Sequence, residues 1–279
     1  MIYTVSPMWG SIDNKKVSTA DFKTGYFSSC SVKLHMIIQY IVRNKEIPEE
    51  IDSSKLFSLY KPLKSTEDVT FEYFERPENI DLTIDSTVPI DYDQDFQFSN
   101  YNTIDFEHIC PVVKKYFTPS LQIKNIIQNM EEKYNIDYEN TCVLFFRGND
   151  KVKETDICEP VNYIEVANQI LRMNPNTKFL IQSDTTEFID LMLETYPNNS
   201  FYFKDETRSI NFAPTTSVDY LDKKNNFMYS KYFLAITNIM AKCKYVICGS
   251  GNCSLWIMFY RGHCKNTIQQ LKNEFIVHQ

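Results

Sequence analysis

An arginine, an aspartate, a lysine and a glutamate follow one another closely in the middle of the chain. Arg147, Asp150, Lys151 and Glu154 lie in the segment FFRGNDKVKET. The planar guanidinium group of an arginine is a fork of donors that matches the oxygens of a phosphate two at a time. The segment therefore predicts a site that holds an anion.

A short apolar run stands directly before these residues and positions them. The run VLFF at 143–146 is β-branched and aromatic, which is typical of a fully buried strand. It stops at turn residues, Gly148 and Asn149. A buried strand that ends here would deliver Arg147 directly to a ligand. The alternative interpretation is a solvated turn with an ordinary surface ion pair.

A second turn has the composition of a phosphate site. The chain has only 6 glycines, and two of them lie in the sequence GSGN between an apolar run at 243–248 and a predicted helix at 253–260. The free N–H groups at a helix N-terminus favour a phosphate. Gly251 permits close approach of the backbone, and Ser250 and Asn252 can donate hydrogen bonds. The glycine pattern of dinucleotide-binding folds and the P-loop pattern are both absent.

The second half of the chain alternates predicted strands and helices. We predict strands at 141–147, 177–183, 201–203 and 243–248, and helices from Pro160 to before Pro175 and at 185–196, 227–242 and 253–260. Such alternation indicates a parallel, doubly wound sheet, whose ligands bind beyond the carboxyl ends of its strands. Arg147, Asp184 and the GSGN turn should therefore meet at one edge. Asp184 is also predicted to cap the helix at 185–196, with Glu187 completing a capping box.

The first half is less regular. We predict a strand at 2–5, a helix at 29–44 after the turn GYFSS, and a strand at 56–60. An irregular acidic and aromatic stretch at 61–103 precedes a weak helical pattern at 104–117. A clearer helix begins at Thr118 and Pro119, as N-cap and first helical residue, and runs to about Tyr134.

The composition excludes several classes of protein. A net charge of −7 argues against an extended nucleic-acid footprint, and no apolar run approaches the ~20 residues of a membrane span. The first residues resemble no signal peptide, and several of the 8 cysteines lie in apolar runs as expected of free thiols in a reducing compartment. Their spacing fits no common zinc pattern. We therefore expect a cytoplasmic protein without a membrane span, of microbial or viral origin or an excised catalytic domain.

The segment FFRGNDKVKET resembles the HxRxxDK signature of the fucosyltransferase superfamily, which includes the core and nodulation fucosyltransferases. KFLIQSDTTEFIDLMLETYP and KYVICGSGNCSLWIMFYRG resemble later segments of that family, and GYFSSCSVKL resembles its N-terminal turn and helix. The resemblance covers roughly 141–262, and 22–44 weakly. It implies a GT-B fold, in which two Rossmann-like domains with parallel sheets face a cleft. The implied domains are an acceptor-side domain at 1–117, a linker helix at 118–140 and a nucleotide-sugar-binding domain at 141–279.

The resemblance also implies roles for particular residues. Arg147 matches the arginine that holds the donor diphosphate, Asp150 and Lys151 match the DK pair, and Glu154 lies one residue nearer the lysine than the family's candidate base. The expected catalytic set is Glu154, Lys151 and Arg147. The expected donor-binding set is Arg147, Gly148, Asp150, Asp184, Ser250, Gly251 and Asn252. The expected acceptor-side set is Asp21, Ser28 and His35, with Asp21, His35 and Asp156 as other candidate bases.

The implied reaction is metal-independent transfer of a sugar, with inversion, from a nucleotide sugar to a hydroxyl group of a glycan or glycoprotein; no cofactor is expected beyond this co-substrate. The family histidine is Phe145 here, its second arginine is Gly148, and the helix at 227–242 has no acid to bind a guanine edge. Both GDP-fucose and a UDP-sugar such as UDP-xylose therefore stay open as donors. Further alternatives are a non-catalytic sugar- or nucleotide-binding module and a metal-dependent GT-A enzyme that uses the DxD spacing of Asp91 and Asp93.

Overall fold

The first half of the chain is dominated by helices. The computed structural model describes residues 9–13, 15–20, 23–215 and 223–279 of the protein. The helices of the first half are α1 (Tyr26–Asn44), α2 (Thr70–Tyr73), α3 (Phe106–Phe117) and α4 (Leu121–Tyr134). The strands β1 (Gly10–Asp13), β2 (Lys16–Thr19) and β3 (Glu50–Asp52) form a small sheet in that order, antiparallel between β1 and β2 and parallel between β2 and β3.

The second half alternates strands and helices. Its strands are β4 (Thr141–Phe146), β5 (Lys178–Ser183), β6 (Ser200–Phe201), β7 (Tyr245–Gly249), β8 (Thr267–Leu271) and β9 (Glu274–His278). Its helices are α5 (Pro160–Met173), α6 (Thr186–Thr195), α7 (Asn226–Lys242) and α8 (Asn252–Arg261). A mixed α/β architecture with a largely parallel sheet is therefore confirmed. The terminal hairpin of β8 and β9 is not among the strands predicted from the sequence.

The strand order of the large sheet creates a crevice next to β4. The order is β6-β5-β4-β7-β8-β9, and all neighbouring pairs are parallel except β8 and β9. The chain runs from β4 outward through β5 to β6 and then returns to β7 on the other side of β4. At such a switch point the connections after the two strands diverge to opposite faces, which leaves room for a ligand.

Apolar side chains cover both faces of the sheet. Val143 and Phe145 belong to a cluster with α1, α3, α4, α7 and α8, whereas Leu144 and Phe146 pack with α5 and α6. This alternation is the two-residue period of a strand that is buried on both faces. Trp256 of α8 joins the halves of the chain, because its ring lies 5.9 Å from that of Phe27 and 4.8 Å from that of Phe117.

Two predictions for the first half were wrong. Residues 56–60 do not form a strand, because Phe57 has a left-handed backbone with φ of 59° and a 3₁₀ turn follows at Ser58–Tyr60. The cap of α4 is Ser120, whose hydroxyl group accepts the Ile123 N–H. Thr118 cannot cap it, because the Thr118 hydroxyl group donates to the Lys114 carbonyl group at the end of α3.

Two further expectations concern the strand at 2–5 and a second Rossmann-like sheet. The strand predicted at 2–5 lies outside the described residues. A second Rossmann-like sheet, which a GT-B fold requires, is not found within the described ranges, where β1 to β3 form the other sheet. None of the helices there is long and apolar enough to cross a membrane.

A buried lysine on α1 makes the stability depend on pH. Lys33 is 4% exposed, and its Nζ lies 5.4 Å and 6.0 Å from the ring centroids of Phe117 and Phe74. Burial lowers the pKa of Lys33 from 10.5 to about 8, against the favourable charge of Asp68. The folded protein therefore holds this proton more weakly than the unfolded chain.

We expect Lys33→Met to raise the free energy of unfolding at pH 7 by about 1–3 kcal/mol, because the variant removes a charge that burial disfavours. The wild type gains stability as pH rises from about 8 to about 10.5, so the advantage of the variant should shrink over that range. Urea unfolding at several pH values measures this difference, with Lys114→Met of the exposed face of α3 as the control. A difference that does not change with pH would contradict the expectation.

Candidate active site

A cavity of about 510 Å³ opens at the carboxyl edge of the large sheet. Its wall is built by the loops after β4 and β5, the beginnings of α1 and α8, and one face of α7. The charged residues on the wall are Lys23, Arg147, Asp150, Lys151, Glu154, Asp184, Glu206 and Arg208. The predicted meeting of strand ends at one edge is therefore observed for β4 and β5, and Asn252 of the turn after β7 lines the same cavity.

Arg147 is delivered by β4, as the apolar run predicts, and two carboxylates hold it. Its Nε donates to Asp184 Oδ2 at 2.8 Å, its Nη2 to Asp150 Oδ1 at 2.7 Å, and its Nη1 to Cys253 Sγ at 3.1 Å. Burial disfavours its charge, but Asp184 and the other neighbours raise the pKa of Arg147 well above its usual value. A guanidinium group has five N–H donors. Three are used here, so two remain for a ligand in the cavity.

Asp184 organises the loop after β4. Its Oδ1 accepts the Gly148 N–H at 2.9 Å, and its backbone carbonyl group accepts Asn149 Nδ2 at 2.7 Å. The prediction that Asp184 caps α6 was wrong, because Thr185 occupies that position and the Asp184 carboxylate is turned toward Arg147. Glu187 accepts the Phe212 N–H and so completes no capping box.

Gly148 serves the packing of this loop and does not line the cavity. A Cβ atom at this position would lie 2.6 Å from Phe146 Cε1 and 2.9 Å from Thr185 Cγ2. Both neighbouring side chains are buried, so neither can turn out into solvent to make room. A glycine is therefore required so that the loop can fold back to Asp184.

Lys151 and Glu154 form an ion pair one helical turn apart at the cavity rim. The side chain of Lys151 is 10% exposed and that of Glu154 is 45% exposed. The Lys151 Nζ also lies 5.9 Å from the centre of the Phe98 ring. The lysine is thus fixed against the wall, whereas the carboxylate of Glu154 borders on solvent.

Two residues of the turn after β7, Ser250 and Gly251, were expected to bind the donor but do not line the main cavity. Ser250 donates to the Gln270 carbonyl group at 2.8 Å and accepts Gln269 Nε2 at 3.0 Å, so this hydroxyl group holds β8. Ser250 and Gly251 line a smaller neighbouring pocket and not the main cavity. Gly251 has a φ of 148°, a value that side chains disfavour.

Asn252 lines the cavity, but both N–H donors of its amide group are already used. Its Oδ1 accepts the Ser31 hydroxyl group at 2.7 Å, and its Nδ2 donates to Ser28 Oγ at 3.1 Å and Gln97 Oε1 at 2.9 Å. The donors left for an anion at this turn are the first backbone N–H groups of α8, which have no partner within the helix.

The three predicted acceptor-side residues have different locations. Ser28 of α1 lines the cavity. His35 is two turns further along α1 and is buried against the Trp9 and Tyr92 rings, at 5.0 Å and 6.0 Å, away from the cavity wall. Burial lowers the pKa of His35, despite the nearby charge of Asp93. Asp21 lies outside the described residues.

Sequence reasoning missed several wall residues. Gln182 lies inside an apolar strand pattern, and Arg208 lies in a polar loop; neither has a motif around it. Arg208 Nη1 donates to Asn226 Oδ1, and its guanidinium carbon lies 4.8 Å from the centre of the Tyr229 ring. An arginine in an otherwise featureless loop was the one available signal.

The DxD spacing does not assemble a metal site in the described part of the chain. Asp93 caps a 3₁₀ turn by accepting the Asp95 N–H at 2.9 Å. No group of three His, Cys, Asp or Glu side chains that could hold a metal is found among the described residues.

No protein-family profile and no curated protein matches the chain. Some solved structures are similar to part of it. The alpha-1,6-fucosyltransferase NodZ soaked with GDP-fucose is 11% identical with a TM-score of 0.41, over 63% of this chain and 54% of that chain. Fucosyltransferase NodZ from Bradyrhizobium is 11% identical with a TM-score of 0.37, over 62% and 53%. A variant of Arabidopsis thaliana FUT1 in complex with GDP is 9% identical with a TM-score of 0.39, over 59% and 36%. The matched part spans about half or less of those chains.

We expect Asp184→Asn to lower the free energy of unfolding by about 1–3 kcal/mol, because an amide group offers one oxygen where Arg147 and Gly148 need two acceptors. Urea unfolding measures the effect. Asp205→Asn is the matched control, since the side chain of Asp205 is 72% exposed in its pair with Lys133 and should change stability by less than about 0.5 kcal/mol. Equal effects of the two substitutions would refute a special role for Asp184.

Proposed function

We propose that this protein is a glycosyltransferase that takes a sugar from a nucleoside diphosphate sugar and transfers it, with inversion, to a hydroxyl group of a glycan or glycoprotein. The resemblance of FFRGNDKVKET to the fucosyltransferase signature supports this proposal. In the proposed organisation, residues 141–279 bind the donor, residues 1–117 face the acceptor, and residues 118–140 link the two parts.

The observation that carries the proposal is the position of Arg147 and the way its guanidinium group is paired. It ends a buried strand, keeps its charge between two carboxylates, and has two unused N–H donors beside a cavity of about 510 Å³. The first turn of α8 opens beside it, because Cys253 of that turn accepts from Arg147. A fixed cation next to a helix N-terminus matches the charge that develops on a leaving diphosphate.

The proposed reaction is a single displacement. The acceptor oxygen attacks the anomeric carbon, the bond from that carbon to the diphosphate oxygen breaks, and the electron pair leaves with the diphosphate. Glu154 takes the proton of the acceptor hydroxyl group. Lys151 holds the Glu154 carboxylate in an ion pair at the cavity rim before the reaction.

A second candidate function is a nucleotide-binding module without catalysis. The observation in its favour is that each cavity carboxylate already has a partner, including Glu154, which would have to turn away from Lys151 to reach an acceptor. Incubation with nucleotide sugars and a mixture of glycan acceptors separates the two functions. The enzyme releases nucleoside diphosphate at a rate that depends on the acceptor, whereas the module binds and releases the intact donor.

We expect Arg147→Lys to lower the transfer rate by roughly a hundredfold or more, because a single ammonium group cannot replace the forked donors at the leaving diphosphate. Lysine keeps a positive charge between Asp150 and Asp184 and therefore spares the fold better than alanine. Single-turnover kinetics measures the rate, and circular dichroism checks the fold. A folded variant with nearly normal turnover would exclude Arg147 from diphosphate binding.

We expect Glu154→Gln to lower transfer by about a hundred- to ten-thousandfold while donor binding stays within a few-fold, because glutamine keeps the shape but accepts no proton. Glu159→Gln, an exposed position further along the same connection, is the matched control. Asp21→Asn and His35→Ala are measured in parallel. Full activity of the Glu154 variant together with loss in the Asp21 variant would move the base to the first half of the chain.

We expect transfer to continue in EDTA, because Arg147 and the N-terminus of α8 supply the positive charge at the diphosphate. The rate is measured with excess EDTA and again after Mn²⁺ is added back. A strict need for Mn²⁺ would favour the GT-A interpretation and a role for Asp91 and Asp93.

A further inference from the structure

One part of the cavity wall is uncharged. Phe145 and Gln182 are register partners in the adjacent strands β4 and β5, so their side chains lie next to each other on one face of the sheet. Phe233 and Ile236 face them from α7, three residues apart and therefore on one side of that helix. We name these four residues the neutral floor. It provides two aromatic rings, one aliphatic side chain and a single amide group.

The amide group of Gln182 is held in place and has a donor to spare. Gln182 is 4% exposed, and its Oε1 accepts the Thr207 hydroxyl group at 2.9 Å. No described residue accepts from its Nε2. Buried polar groups in folded proteins are almost always hydrogen-bonded. A fixed donor that lines a cavity therefore indicates a ligand with an acceptor at this point.

The distance from the neutral floor to the N-terminus of α8 matches the distance between the two ends of a nucleoside diphosphate. The N-terminus of α8 follows β7 on one side of β4, whereas Gln182 is the last residue but one of β5 on the other side. Neighbouring strands lie about 4.8 Å apart, so about 10 Å separates the two positions. A ribose and the first phosphate fill such a distance between a base and a terminal phosphate.

Resting on the proposed function, we propose that the neutral floor binds the nucleobase of the donor and that Gln182, positioned by Thr207, selects uracil. The aromatic and aliphatic side chains pack on the faces of the ring. The Gln182 Nε2 donates to the O4 carbonyl oxygen, and the second lone pair of Oε1 accepts the N3–H group. One amide group thus pairs with both N3–H and O4 of the uracil edge.

Other bases fit this floor less well. Cytosine presents an amino group where uracil has O4, so two donors would face each other. Guanine matches the amide group with O6 and N1–H but also has an amino group that needs another acceptor. The neutral floor has no carboxylate that could accept it, since its one polar side chain is the Gln182 amide group.

Titration calorimetry with UDP, CDP, GDP and pyrophosphate on the full chain tests the inference. We expect the wild type to bind UDP at least about tenfold more tightly than CDP or GDP. Gln182→Leu should bring UDP down to the level of CDP and leave pyrophosphate unchanged. Thr207→Val should narrow the ratio of UDP to CDP, because the amide group can then turn over and present its oxygen.

Thermal unfolding shows whether each variant is folded, and Thr207→Val provides the test if the Gln182 variant is not. Tightest binding of GDP by the wild type, or an unchanged ratio of UDP to CDP in a folded variant, overturns the inference and leaves the proposed function standing. Failure of the wild type to bind pyrophosphate and every nucleotide overturns both.

Discussion

The ion pair between Asp184 and Arg147 is the interaction on which the site depends. A guanidinium group that is only 22% exposed at the end of a buried strand needs anionic partners, since desolvation disfavours its charge. Asp184 supplies one from the neighbouring strand and, with its other oxygen, binds the Gly148 N–H. One carboxylate therefore sets both the direction of the arginine and the course of the loop that contains Lys151 and Glu154.

The loop after β4 is packed tightly around the same carboxylate. Gly148 is pressed between Phe146 and Thr185, where a Cβ atom has no space. Asn149 is fully buried and joins the Asp184 carbonyl group to the Ala213 N–H. Residues such as Gly148 and Asn149 are typical of exposed turns, but here they are buried and hold the Asp184 side of the loop in place.

The cavity is closed by contacts between the halves of the chain. Asn252 at the start of α8 binds Ser28 and Ser31 of α1, and the Trp256 indole N–H donates to the same Ser31 at 2.9 Å. The first turn of α8 is thus fixed from the side of α1, while its backbone N–H groups stay available. A polar side chain at the start of a helix can thus serve the assembly of the cavity and not the binding of a ligand.

The sequence by itself determined the elements whose patterns are local. The runs at β4, β5 and β7 are apolar enough to identify buried parallel strands, and the rule that ligands bind beyond carboxyl ends singled out Arg147 and Asp184 as neighbours. What only the tertiary structure decided depends on partners far along the chain. Gln182 accepts a hydrogen bond from Thr207, and Ser250 donates one to the Gln270 carbonyl group. His35 is buried against the Tyr92 ring. No periodicity in the sequence encodes such contacts, because they follow from strand register and helix packing and not from the preferences of neighbouring residues.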